Sequence, residues 1–93
     1  MAKLNSLLHQ ELRLAIISFL VNVESADFKK LIEVTQASKG NLSVQLSKLQ
    51  KAGYIKIEKT FKANYPHTEC MITDEGRKTF EEYLAELKKM LNL

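Results

Sequence analysis

Residues 38–55 read SKGNLSVQLSKLQKAGYI. Wound as a helix at about 100° per residue, this stretch places Leu42, Leu46 and Leu49 on one stripe, with Gly53 below them. The opposite face carries Gly40, Ser43, Val44, Ser47, Lys48 and Lys51, with Asn41 at its edge and no acidic residue. Ser38 is placed to cap the start, and Gly53 to end the helix in a left-handed cap. The outward face is small and uncharged near its start and basic further on. Small side chains let a helix approach another surface closely, and lysines beyond them suit a polyanion. That combination is the one expected of a recognition helix in a DNA major groove. An amphipathic helix with solvated lysines looks the same in isolation, so the remainder of the chain has to decide.

The 93 residues predict a single domain, 1–93, of ordinary globular composition: 45% hydrophobic and 27% charged. The longest apolar run, from Leu14 to Val21, is broken by Ser18 and falls well short of the roughly 20 residues of a membrane span. No small-residue cleavage site comes after Met1–Ala2–Lys3–Leu4, so a cytoplasmic protein with no membrane partner is expected. The net charge of +3 is unevenly spread. Residues 1–38 balance, whereas residues 39–62 carry six lysines (39, 48, 51, 56, 59, 62) against Glu58 alone. The positive excess thus lies on the central helix and the stretch directly after it, as a phosphate backbone would require.

In chain order, Leu4 to Val23 predicts a helix capped by Asn5 or Ser6. Leu8, Leu12, Ala15, Ile16, Phe19, Leu20 and Val23 form one stripe, and Leu14, Ile17 and Val21 a second on nearly the opposite side. Ser25–Ala26 suits a very short strand. Asp27 then caps a helix from Phe28 to about Thr35, and a tight turn leads into the central helix. After Gly53 the apolar period changes to two: Ile55 and Ile57 alternate with Lys56 and Glu58. Lys62 to Pro66 has turn chemistry, and His67 to Ile72 returns as a strand with Thr68, Cys70 and Ile72 on one face. Thr73 caps a last helix, about 74–92, whose stripe is Phe80, Tyr83, Leu84, Leu87 and Leu91. The predicted class is mainly α with a small antiparallel hairpin, in the order α-β-α-α-β-β-α.

With ELRLAIISFL, DFKKLIEVTQASKGNLSVQLSKLQKAGYIKIEK and ITDEGRKTFEEYL in that order, the chain resembles the winged helix-turn-helix regulators of the MarR and ArsR type, closest to their short single-domain, archaeal-like members. The likeness runs from about Leu4 to Leu91; LSVQLSKLQKAGYI and ITDEGR are its most specific parts. It implies a homodimeric, duplex-DNA-binding transcriptional regulator. By that likeness Lys39, Asn41, Ser43, Val44 and Ser47 match base-facing positions, and Lys59, Lys62 and Asn64 match positions of the wing, about 59–67. Lys48 and Lys51 on the helix, with Lys59 and Lys62, are expected on phosphate, and Tyr65 at the wing tip is placed to stack on sugar, to pack on a neighbour, or to stand exposed in the loop with no role. The paired cysteines or His/Asp sets of the metal sensors are missing, so neither metal nor cofactor is expected. The helices that shape a ligand crevice in full-length members are short or absent, which leaves a small-molecule effector unassigned.

Two stripes on the first helix and an uncovered stripe on the last predict that the terminal helices form a dimer; the alternative is that the last helix folds back and covers the second stripe of the first within one chain. The dimer's interface residues would be Leu14, Ile17, Val21, Phe80, Tyr83, Leu84, Leu87 and Leu91. Catalysis is not expected: no nucleophile–base pair or paired carboxylates stand out. His9 is expected to be packed or partly exposed. His67 and Cys70, three apart in a strand, point to opposite faces, and Cys70 reads as a small core residue. Arg13 is expected in an ion pair or in solvent. The alternative to a DNA-binding regulator is a winged-helix interaction module of a larger assembly, which would need no basic outward face.

Overall fold

The structure is a computed structural model that describes residues 3–93. It runs α1 (Glu11–Leu20), β1 (Ala26–Asp27), α2 (Phe28–Thr35), α3 (Lys39–Lys51), β2 (Ile55–Lys62), β3 (Tyr65–Ile72) and α4 (Asp74–Leu91). The element order and the α+β class are those expected. The three strands form one antiparallel sheet in the order β1-β3-β2. Ala26 and Asp27 pair with Cys70 and Glu69, so the short strand lies one residue later than expected and closes the sheet edge beside α2.

Caps set the helix boundaries. Asp27 accepts from the Lys30 amide at 2.7 Å, Ser38 from Asn41 at 3.1 Å, and Thr73 from Gly76 at 2.9 Å. Gly53, at φ +81°, ends α3 in the left-handed conformation, with the Tyr54 amide donating to the Leu49 carbonyl. The first helix is shorter than its apolar stripe. Asn5 Oδ1 accepts from the amides of Leu7 and Leu8, closing a separate turn. Gln10 is then extended, and its side chain caps α1 by accepting from the Arg13 amide. The expected helix over 4–23 is thus a capped turn followed by α1. Leu8 still reaches the core from that turn, which is why the stripe ran on unbroken in the sequence.

Leu8, Ile16, Ile17, Leu20, Leu31, Leu42, Leu49 and Cys70 are fully buried and form the centre of the core. Both sides of α1 are thereby used within one chain. Ile17 belongs to the core, not to a free second stripe, and Phe80 and Tyr83 are also buried in it. These three, expected at a dimer interface, are corrected to core residues. The Tyr83 hydroxyl and His9 Nδ1 lie 2.9 Å apart, a hydrogen bond that ties α4 to the turn before α1.

Where α3 ends, α4 begins. The Thr73 hydroxyl donates to the Gly53 carbonyl at 2.6 Å, and the Thr73 amide donates to the Tyr54 carbonyl at 3.0 Å. Gly76 is buried there, and a Cβ at that position would stand 2.1 Å from the Tyr54 carbonyl oxygen. Backbone cannot yield as a side-chain tip can. Gly76→Ala should therefore destabilise the fold by roughly 2–3 kcal/mol or more, despite alanine's better helix propensity. Thermal unfolding against Gly40→Ala, where nothing lies within 4 Å, checks this: the Gly40 variant should be neutral or stabilised.

Candidate nucleic-acid interface

The outward face of α3 is held clear of the core by its own stripe. Leu42, Leu46 and Leu49 are buried, while Lys39, Gly40, Asn41, Ser43, Val44, Ser47, Lys48 and Lys51 are exposed. Val44 is an apolar side chain left half in solvent, at 50% exposure. Beside this face rises the wing. Strand β2 pairs with β3 from Ile55↔Ile72 to Lys62↔Tyr65, leaving a two-residue turn. Both turn residues, Ala63 (φ +50°) and Asn64 (φ +66°), are left-handed, as a hairpin of the observed twist demands.

Helix and wing meet in a groove of about 640 Å³ lined by Ser43, Ser47 and Gln50 of α3, Ile57 and Lys59 of β2, and Thr68 of β3. The structure thus brings Ser43 and Ser47 together with Lys59 at the base of the wing, and Lys39 beside Pro66 and His67, whereas Asn41 lies on the flank toward α1, beside Gln10, Glu11 and Ala15. Of the six central lysines, Lys56 pairs with Glu58 at 3.1 Å. Lys39, Lys48, Lys51, Lys59 and Lys62 are in no ion pair among the described residues. Their positive field is therefore not neutralised by their own chain.

Two features escaped the sequence. Phe61 stands 77% exposed near the wing tip, beside the expected Tyr65 at 74%, although it falls in step with the inward Ile55 and Ile57. Its position eight residues beyond Gly53 is the one available signal, because the hairpin outruns the core. Arg13 is in neither an ion pair nor free solvent. Its Nε donates to the Leu7 carbonyl at 2.6 Å and its Nη1 to the Oε1 of Gln45, a polar residue buried in α3. No periodicity links positions 13 and 45.

Elsewhere the chemistry is sparse. Among the described residues no three His, Cys, Asp or Glu side chains converge on a point that could hold a metal ion, and no helix is long and apolar enough to cross a membrane. His67 and Glu69 face each other on the outer side of β3, with Nε2 and Oε1 3.5 Å apart. Cys70 points the other way and is fully buried.

A winged helix DNA-binding domain profile matches residues 12–91. The chain belongs to the winged helix DNA-binding domain family. An uncharacterized protein of Methanocaldococcus jannaschii is 30% identical over 78 residues, 84% of this chain and 85% of that one. A transcriptional regulator homologue from Pyrococcus horikoshii superposes with a TM-score of 0.86 at 30% identity, over 92% of this chain and 85% of its own. Bacillus subtilis PadR, solved in complex with operator DNA, superposes at 0.71 and 18% identity over 81% of this chain and 48% of PadR, which shows the fold alone. This winged helix domain is accordingly a DNA-binding domain of the kind found in transcriptional regulators, with MarR-family proteins among its structural neighbours.

Burial in this domain leaves a pH signature. Desolvation, with the charges of Glu69 and Asp27 adding to it, raises the Cys70 thiol from 9.0 to about 11. The unfolded chain then releases this proton before the folded one does. Stability conferred by the neutral thiol is complete below pH 9 and is lost as pH rises from about 9 to about 11, by on the order of 2–3 kcal/mol. Urea unfolding at pH 8 and pH 10.5 checks this: Cys70→Val should show a visibly smaller loss than wild type over that interval.

Proposed function

We propose that this domain is a homodimeric transcriptional regulator that places α3 in the major groove of duplex DNA and its wing on the backbone or minor groove. The observation that carries this is the groove shared by α3 and β2, lined by Ser43, Ser47 and Lys59, together with five exposed lysines of these two elements that are in no ion pair among the described residues. In this reading Lys39, Asn41, Ser43, Val44 and Ser47 face base edges. Asn41 hydrogen-bonds, and Val44 meets a thymine methyl. Lys48, Lys51, Lys59 and Lys62 neutralise phosphates, and Asn64 and Tyr65 carry the wing tip onto sugar and backbone.

Specificity is modest. Arginine bidentate to guanine is the commonest specific contact, and the two arginines of this chain are engaged elsewhere. Arg13 is held by Leu7 and Gln45, and Arg77 donates to the Val21 carbonyl at 3.1 Å. Asn41→Ala should relax preference at one base pair by roughly 1–3 kcal/mol in a duplex selection from a random library. Lys62→Ala should instead weaken all sequences alike and flatten the salt slope of binding by about one unit. Gel shifts over a salt series read both. An unchanged slope removes the wing from DNA, and no duplex binding at low salt favours the interaction-module alternative.

The dimer surface in this reading is what α4 leaves open. Leu84, Met90 and Leu91 are exposed, and Leu87, Leu14 of α1 and Val21 just after it are half-buried. A two-fold axis along α4 would cover these residues and set two α3 helices roughly 34 Å apart, one turn of duplex. Sedimentation should give about twice 10.6 kDa for wild type, and Leu84→Glu with Leu91→Glu should shift it to the monomer without loss of helix signal. A wild-type monomer at tens of micromolar that binds DNA tightly would exclude this arrangement.

A further inference from the structure

Gln45 is the one buried polar side chain among the described residues, at 8% exposure. It lies within α3 and links two partners. Its Oε1 accepts from Arg13 Nη1, and its Nε2 donates to Asn41 Oδ1 at 3.0 Å. Arg13 is itself anchored by the bond from its Nε to the Leu7 carbonyl.

A carboxamide has nearly the same shape turned end for end, so its direction has to follow from its partners. Here a partner decides it. A guanidinium carries five N–H donors and no acceptor, so Gln45 must turn its oxygen to Arg13. Its amino group then faces Asn41, and Asn41 must turn its own oxygen inward to accept. What Asn41 leaves for the outer face of α3 is its Nδ2 amino group, which has no hydrogen bond among the described residues.

We infer that the Arg13–Gln45–Asn41 chain of hydrogen bonds fixes Asn41 as an outward donor, so that α3 selects guanine above adenine at the base pair Asn41 faces. This rests on the reading of α3 as the recognition helix. Guanine presents two acceptors in the major groove, N7 and O6, which an amino group can share. Adenine presents N7 beside an amino donor. The usual fork between asparagine and adenine asks the side-chain oxygen to accept from that amino group, and here the oxygen already serves Gln45. Arg13 and Gln45 touch no base in this scheme. They are positioning residues that act through Asn41.

The test uses the wild-type protein and two variants in selections from a random duplex library. The base pair read by Asn41 is the one whose preference vanishes in Asn41→Ala. Wild type should show guanine there, favoured over adenine by roughly 5- to 150-fold, and 7-deazaguanine at that pair should lose much of the advantage. Gln45→Glu turns the chain round. A carboxylate accepts from Arg13 and from Asn41 alike, so Asn41 brings its amino group inward and its oxygen outward. Preference should then move to bases with an amino donor, adenine or cytosine. The added negative charge weakens every duplex together and drops out of the ratio. Arg13→Leu frees Gln45 to turn either way and should bring the guanine-to-adenine ratio toward one. A loss of packing alone would lower affinity without exchanging one base for another. Should Gln45→Glu fail to fold, the deaza-substituted duplex and Arg13→Leu still decide. Adenine at that pair in wild type, or a ratio unmoved by both variants, overturns the inference while leaving DNA binding intact. A protein that binds no duplex at low salt overturns the reading of α3 itself.

Discussion

The contact on which the rest of this domain depends is the meeting of two backbone segments, the Gly53–Tyr54 turn and the first turn of α4. Gly53 takes a left-handed conformation that ends α3, and its carbonyl and that of Tyr54 both accept from Thr73. Gly76 lets the helix backbone come against the Tyr54 carbonyl, where a methyl group would collide with it. Three directions are fixed at once: the axis of α3, the departure of β2 toward the wing, and the start of α4. Hydrogen bonds, here one from a backbone amide and one from a side-chain hydroxyl, hold angles more tightly than apolar contact, which is non-directional. The groove between α3 and the wing inherits its shape from this junction.

The other end of α3 is held by different means. Leu42, Leu46 and Leu49 anchor it against the core by burial, which resists lifting but tolerates small rotations about the helix axis. The buried Gln45 opposes such rotation. Its amide has to meet Arg13 on α1, because a buried amide without a partner costs on the order of 1–3 kcal/mol. One polar residue on an otherwise apolar flank therefore sets the register of the outward face.

Much of this was legible in the sequence because it is local. Ser38, Asp27 and Thr73 cap helices through bonds that span three residues, and Gly53 ends one by its own freedom of φ. The lysine excess over residues 39–62 needs no fold to be counted. What failed was non-local. Periodicity shows that Ile17, Phe80 and Tyr83 are apolar positions on helices, but not whether their cover comes from the same chain; α1 and α4 supply it within the monomer. The stripe from Leu4 onward concealed the break at Gln10, since Leu8 is buried from a turn as readily as from a helix. Alternation leaves Phe61 in step with Ile55 and Ile57, and a pattern carries no information about how far the core extends beneath the strand. The role of Arg13 depends on a partner 32 positions away.

In the proposed complex with DNA, the charges and the polar groups of the α3 face divide the work of binding between them. Five lysines in no ion pair among the described residues provide a field that any duplex satisfies, and ammonium groups on flexible stems impose little geometry on what they meet. Such a surface binds in a salt-dependent way and slides, but it does not choose. Choice has to come from groups whose direction is fixed before the duplex arrives, and on this face the side chain with a fixed direction is Asn41, held by a buried amide that is held in turn by an arginine. The arginine is thus withdrawn from direct contact with a base and used instead to set the polarity of a neutral reader. A guanidinium on the groove-facing surface would add affinity for every sequence through its charge. Half-buried behind an amide, it acts on sequence preference with little added to the non-specific field, and in a domain with only two arginines that placement decides how much of its affinity distinguishes one duplex from another.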